Sequence, residues 1–223
     1  MSEEHTITIR AIQPLTHDVR RYRCDKPDGY GYRPGQATEV RVDRDGWRDE
    51  ARPFTFTSLP DDDHLEFTIK SYPDHHGVTE QIGMLEVGDR LIIGEAWGAI
   101  TDKGPGTFIA GGAGVTPFIA ILRRREADGA LDGCHLIFSN LTEDDIIMRD
   151  ELAAMPGLRT TFLVTEQPES PLAADQLDKA ALDRLVDDVD QQFYVCGPPP
   201  MVDDLSAALE SLGASADGIT FEQ

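Results

Sequence analysis

Thr107-Phe108-Ile109-Ala110-Gly111-Gly112-Ala113-Gly114-Val115-Thr116-Pro117 is the stretch whose reading decides the fold. A continuous apolar run is the pattern of a strand covered on both faces. Glycines follow at once, and Pro117 suits the first turn of a helix that should run from Thr116 to about Ala127. Glycines directly after a buried strand let the backbone approach a diphosphate, although this is not the GxGxxG spacing of the common dinucleotide turn. The alternative is a tight strand–helix turn that holds nothing.

Beyond this turn, His135–Phe138, Thr160–Val164 and Phe193–Val195 read as further buried strands, and the helices between them carry Leu152, Leu177, Leu182 and Leu185. Strands alternating with helices predict an α/β domain with a parallel sheet. Before the turn the texture differs. His5–Gln13, Asp18–Cys24, Thr38–Val42, Leu65–Lys70 and Arg90–Ile93 are short strand-like runs separated by turn signals such as Asp28-Gly29 and Pro34-Gly35. They predict a closed antiparallel Greek-key β-barrel, interrupted by one helix from Gly77 to Leu85. The Gly/Pro-rich Asp102-Lys103-Gly104-Pro105-Gly106 reads as a hinge, giving domains at 1–102 and 103–223.

Composition narrows the function. Forty-one acids against twenty bases give a formal net charge of -21, which argues against nucleic acid and anionic membrane as partners. Only Lys26, Lys70, Lys103 and Lys179 are lysines, so the Asp-rich surface fits adaptation to high salt as well as ordinary acidity. No apolar run approaches the ~20 residues that cross a bilayer, and the acidic start is not signal-like, so a cytoplasmic protein is expected. Cys24, Cys134 and Cys196 suggest neither a disulfide framework nor a zinc site, and His75-His76 lacks an evident third ligand, so no metal is expected and the pair reads as surface histidines.

Three other stretches carry chemistry. Arg52-Pro53-Phe54-Thr55-Phe56-Thr57-Ser58 alternates rings and hydroxyls, so a strand here would offer a stacking face, a hydroxyl face and a guanidinium for a phosphate. Read alone it is a sheet strand with an Arg at its edge. Gly77-Val78-Thr79 opens a helix, where unpaired N–H groups favour an anion; a plain helix start is the alternative. Val195-Cys196-Gly197-Pro198-Pro199-Pro200-Met201 ends a strand and begins a helix, placing Cys196 at the carboxyl edge of the sheet, where such folds bind ligands. Cys196 has no obvious base, so thiol catalysis is rejected in favour of a buried small residue or a role shaping a pocket.

Together, Arg52-Pro53-Phe54-Thr55, Gly77-Val78-Thr79, Gly111–Pro117 and Cys196–Met201 resemble the ferredoxin–NADP reductase family in order and approximate spacing, and Pro34-Gly35-Gln36 is similar to a turn in the same family. The resemblance covers nearly the whole chain. It implies a FAD-binding barrel followed by a pyridine-nucleotide domain. Arg52, with Pro53 beside it, would bind the flavin pyrophosphate, Phe54 would pack on the isoalloxazine, and Thr55 stands where a Ser usually bonds N5. Ile69, Lys70 and Ser71 would hold the ribityl chain and phosphate through their backbone, with Gly77, Val78 and Thr79 completing the phosphate contacts. Gly112, Gly114, Val115 and Thr116 would cradle the nicotinamide dinucleotide, with Gly197, Pro198 and Met201 opposite, and Cys196 and Glu222 would border the nicotinamide.

Departures from the family pattern carry expectations of their own. Phe54 replaces a usual Tyr, Trp97 is expected only to pack at the domain junction, and Thr220-Phe221-Glu222-Gln223 leaves no terminal aromatic to cover the flavin. No cysteine set for an iron–sulfur cluster is present, so electrons should leave to a separate soluble acceptor protein. Ser139-Asn140-Leu141-Thr142-Glu143-Asp144-Asp145 brings no cation until Arg149, and Thr165-Glu166 brings none, so NADH is favoured over NADPH. The expected activity is hydride transfer from NAD(P)H to FAD, then single electrons to flavodoxin, ferredoxin, a haem protein or an oxygenase. A free-flavin reductase and a non-catalytic electron-routing subunit are the rivals. Arg123-Arg124-Arg125 reads as either a docking patch or a solvated helix face.

Overall fold

The computed structural model describes residues 4–73, 76–98 and 100–222. Its first half is a barrel of β1 (His5–Pro14), β2 (Val19–Asp25), β3 (Ala37–Val42), β4 (Arg52–Thr55), β5 (His64–Lys70) and β6 (Arg90–Ile93), with α1 (Val78–Gly83) between the last two. The antiparallel order β4-β3-β6-β1-β2-β5 is the Greek-key arrangement expected from the sequence. Just past β4, a Phe56–Phe67 bridge and a 2.8 Å bond from Thr57 N–H to the Glu66 carbonyl draw the two edge strands together and nearly close the ring. Alternation drives this half. Ile7, Ile9, Val40, Val42, Leu91 and Ile93 turn inward and meet Tyr22, Phe56 and Phe67 in one core.

The second half is a parallel sheet of β7 (Gly106–Gly111), β8 (His135–Asn140), β9 (Arg159–Val164), β10 (Gln192–Cys196) and β11 (Ile219–Glu222) in the order β11-β10-β7-β8-β9. Helices cover both faces: α2 (Thr116–Ala127) and α3 (Arg149–Ala154) on one, α4 (Lys179–Leu185) and α5 (Pro199–Leu212) on the other. Residues along β7 divide accordingly, Phe108 and Ala110 toward α2, Ile109 toward α4 and α5. Every residue of α2 from Pro117 to Leu122 is buried, as befits a helix enclosed all round, and Val19 of the barrel joins its core. The sequence reading did not anticipate β11.

One expectation fails within the barrel. The alternation of Arg52–Ser58 does not continue, because β4 ends at Thr55 and Phe56, Thr57 and Ser58 are all buried. The Phe56 ring stacks on Tyr32 with centroids 4.2 Å apart, and Thr57 donates to Glu66 Oε1 at 3.0 Å. Phe56 therefore fills the core and offers no stacking face. Among the described residues, no helix is long and apolar enough to cross a membrane.

Candidate functional site

The order of the parallel sheet reverses between β7 and β10, and the carboxyl ends of these two strands are where an open α/β sheet forms its ligand crevice. A groove of about 1010 Å³ lies there. Its walls include Gly111–Gly114 at the end of β7, Gly197, Pro198 and Met201 after β10, Asn140 at the end of β8 and Asp145 beyond it; Lys70 and Tyr72 of the barrel complete it.

The glycines have distinct jobs. Gly112 has φ +53, the left-handed region, and its missing side chain would point into open space. Gly114 faces the Cys196 carbonyl and the Gly197 backbone too closely for a Cβ. The expectation that Gly112 and Gly114 cradle a ligand alike is thus refined: Gly112 supplies the turn, and Gly114 lets the β7 and β10 loops meet. Thr116 donates its hydroxyl to the Ala113 carbonyl at 3.0 Å, and Val115 is buried beneath the turn. Parallel pairing sets Cys196 beside Glu222 on adjacent strands, so these two expected neighbours share the carboxyl edge.

The barrel residues gather differently. Antiparallel closure puts the start of β4, with exposed Arg52 and Pro53, at the same end of the barrel as the finish of β5, with Ile69, Lys70 and Ser71. Among the described residues, Arg52 turns only to the neighbouring Ala51 carbonyl, at 2.7 Å. Phe54 and Thr55 are half-buried, and Ser71 donates to the Thr79 carbonyl at 3.2 Å, fastening the end of β5 to α1. Gly77 caps α1 in extended conformation, Val78 is buried and Thr79 is half-buried. Arg52, Phe54, Thr55, Val78 and Thr79 do not line the large groove; of the barrel residues expected in the site, Lys70 does. Lys70 Nζ sits 3.0 Å from Asp18; burial works against its ammonium, but Asp18 more than offsets this and holds it above its ordinary value. His17, Asp18 and Asp145 converge at the same lip. Of His75-His76, His75 lies outside the described residues, and His76 is exposed, 3.4 Å from Glu80. Gln223 is likewise outside them.

Two residues stand out beyond those the motifs assign to the site. Asn140 ends β8 only 5% exposed, and neither its side-chain oxygen nor its nitrogen has a hydrogen-bond partner. A buried amide in that state calls for an explanation; Asn140 lines the groove, yet both polar atoms of its side chain are closed to solvent. Its only signal in the sequence is a polar residue closing an apolar run. Trp97 pairs by backbone with Ala37, whose other neighbour is Thr55, and its indole is 45% exposed. It therefore stands across β3 from the Arg52 strand. Arg149, the first cation after β8, is bound by Glu143 at 2.5 Å.

The arginine cluster is a correction. Arg123 bonds to Glu66 of β5 and Glu151 of α3, Arg124 reaches Asp61 and Asp128, and Arg125 pairs with Asp102. All three are paired with acids: Arg123 and Arg125 turn inward, so the run is not one basic patch, while Arg124 stays on the solvated face beside the exposed Asp61 and Asp128.

A barrel joined to a doubly covered parallel sheet, with a glycine-lined crevice at the reversal point, defines a two-domain reductase fold with a nucleotide-binding half. The family model for the oxidoreductase NAD-binding domain matches residues 108–207. The chain is 30% identical over 224 residues to NADH-cytochrome b5 reductase 1 of Coccidioides immitis, covering 89% of this chain and 71% of that one. It is 30% identical over 215 residues to the ferredoxin–NAD(P)(+) reductase component of the naphthalene 1,2-dioxygenase/salicylate 5-hydroxylase systems of Ralstonia sp., covering 92% and 64%. A ferredoxin NADP+ reductase from Neisseria gonorrhoeae, solved with FAD and NADP, shares the fold with a TM-score of 0.85 at 20% identity, covering 100% of this chain and 99% of that one. The chain belongs to the ferredoxin–NADP reductase-like family. It spans a little under two thirds of the oxygenase reductase components it matches, 62% and 64% of their lengths.

Proposed function

We propose that the chain is an NAD(P)H-dependent flavoprotein reductase module, with a barrel unit at 1–102 and a nucleotide unit at 103–223. FAD, when bound, would supply the chemistry: acceptance of a hydride from the nicotinamide and release of its two electrons singly to a separate acceptor. The observation that carries the proposal is the glycine-lined groove at the sheet's reversal point, reaching from Asn140 to Lys70 of the barrel.

The chain's own residues bind and orient. Arg52 offers a guanidinium to the flavin pyrophosphate, a role supported by its having, among the described residues, only its neighbour's carbonyl as partner. Phe54 packs on the ring system and Thr55 directs a hydroxyl at N5; Ile69, Lys70, Ser71, Gly77, Val78 and Thr79 hold the ribityl and phosphate chain. Gly112, Gly114, Val115 and Thr116 form the turn under the nicotinamide dinucleotide, with Gly197, Pro198 and Met201 across the groove. Cys196 and Glu222 border the nicotinamide. NADH is the favoured donor, since Glu143 already neutralises Arg149 and acids rather than cations follow β8. The acceptor is a soluble protein, and the setting is cytoplasmic, in keeping with three cysteines outside disulfides.

The test is the visible spectrum of the purified protein under argon, before and after one equivalent of NADH. Flavin bands at about 375 and about 450 nm that bleach promptly are the expected result, with rapid ferricyanide turnover separating an enzyme from an electron-routing subunit. Bleaching with NADPH alone reverses the donor. A protein that stays colourless after FAD is added overturns the reading.

A further inference from the structure

Arg123 lies on α2, seven residues beyond Thr116, about 10 Å along the helix from the glycine turn. Its Nη1 donates to the Thr57 main-chain carbonyl at 2.6 Å and to Glu66 Oε1 at 2.7 Å. On the other side its Nε and Nη2 reach Glu151 Oε1 at 2.7 and 2.6 Å. Thr57 stands two residues after Thr55, at the point where the barrel strand turns into the core, and its own N–H and hydroxyl are both spent on Glu66. Glu66 is only 1% exposed and also faces Arg21 and Arg23. One guanidinium thus joins the tail of the Arg52 strand, the β5 strand beside it and the helix that begins at the nucleotide turn. The neighbouring arginines do not repeat this: Arg124 goes to the exposed Asp61, and Arg125 to Asp102 and the Ala130 carbonyl.

We infer that Arg123 is a positioning residue that fixes the Thr55 strand against α2 and so sets the geometry between the two halves of the reaction site. The inference rests on the flavin–nicotinamide reading of that site. Two domains in one chain move relative to one another unless something prevents it. A planar fork of donors, half-buried against a carboxylate only 1% exposed and so little screened by salt, prevents it more strictly than a flexible ammonium does. Reacting groups displaced by about 1 Å lose on the order of a hundredfold in rate.

The experiment compares wild type with Arg123→Ala, Arg123→Lys and, as a stability control, Leu182→Ala, whose side chain is buried in α4 and does not line the groove. With FAD loaded and nucleotide saturating, the first-order rate of flavin bleaching per bound flavin should fall about 10- to 100-fold in Arg123→Ala. The dissociation constant for the nucleotide should stay within about twofold. Arg123→Lys should fall between, and Leu182→Ala should melt earlier yet bleach at the wild-type rate. In the FAD-free protein, amide exchange at residues 54–58 should quicken about tenfold in Arg123→Ala, with β8 and β10 unchanged. A wild-type bleaching rate per bound flavin in Arg123→Ala, or exchange at 54–58 no faster than in Leu182→Ala, overturns the inference and leaves the functional reading standing. A wild-type protein that no nicotinamide nucleotide reduces overturns both.

Discussion

The two ends of α2 are held by opposite means. At its start, Gly111 lies against the Pro198 and Met201 side chains and Gly114 against the Cys196 carbonyl, backbone on backbone, with no room for another carbon. Two turns on, Arg123, Arg124 and Arg125 reach outward to five different acids and two main-chain carbonyls. The first contact is exact because side chains are missing; the second is exact because long side chains converge. One fails when an atom is added, the other when a charge is removed.

The largest effect should therefore come from the charged end. Glu66→Gln keeps the shape but leaves Arg21, Arg23 and Arg123 facing one another with their shared carboxylate gone. Breaking a buried pair in this way costs about 3–5 kcal/mol, measured by urea unfolding at neutral pH. Burial pushes the Glu66 carboxyl up, but Arg123, Arg21 and Arg23 outweigh it and hold it below its ordinary value. A carboxyl lowered on folding contributes stability that is complete above its unfolded pKa and lost as pH falls through the folded one. The gap between wild type and Glu66→Gln should accordingly narrow in acid. A gap that stays constant on acidification means the loss is one of packing, not charge.

At the glycine end the contrast is internal. Gly114→Ala forces a carbon into the Cys196 carbonyl and should cost about 2–3 kcal/mol, with loss of nucleotide binding. Gly112→Ala meets no atom and should cost about 1 kcal/mol, from its φ of +53 alone. Thermal melting and a NADH titration of both variants decide it. Equal costs would mean that the turn, not the contact between the two loops, is what the glycines serve.

These ends also differ in how far the sequence reveals them. The glycine turn is local: an apolar run, glycines and Pro117 within eleven residues specify strand, turn and helix, and α2 spans Thr116–Ala127 as read. The barrel strands were legible by the same logic, since alternation at Ile7 and Ile9 or Leu91 and Ile93 is written in neighbouring residues. The seam is not local. Arg123 meets Glu66 across 57 positions and Thr57 across 66, and nothing in an Arg-Arg-Arg run says which acid each will find. Phe56 misled for a related reason. Its period-two neighbours suggest an outward ring, yet barrel closure against Phe67 turns it inward. Asn140 could be seen as polar at a strand end, but only the fold shows it buried and without partners.

Salt sharpens the same comparison with the smallest effect. An exposed pair such as Arg10–Asp25, with side chains 64% and 41% exposed, contributes about 0–1 kcal/mol and is screened away. The Glu66 cluster, with its carboxylate 1% exposed, is shielded from that screening. A chain of net charge -21 repels itself at low ionic strength, so adding KCl relieves repulsion over the whole surface while leaving the seam intact. Melting temperature should rise by a few degrees between low and molar KCl, and the deficit of Glu66→Gln should stay the same throughout. A melting temperature that falls or holds flat would dismiss high-salt adaptation as the reason for the Asp-rich surface. A deficit that shrinks with salt would place the cluster among the screened surface pairs and remove the distinction between the helix's two ends.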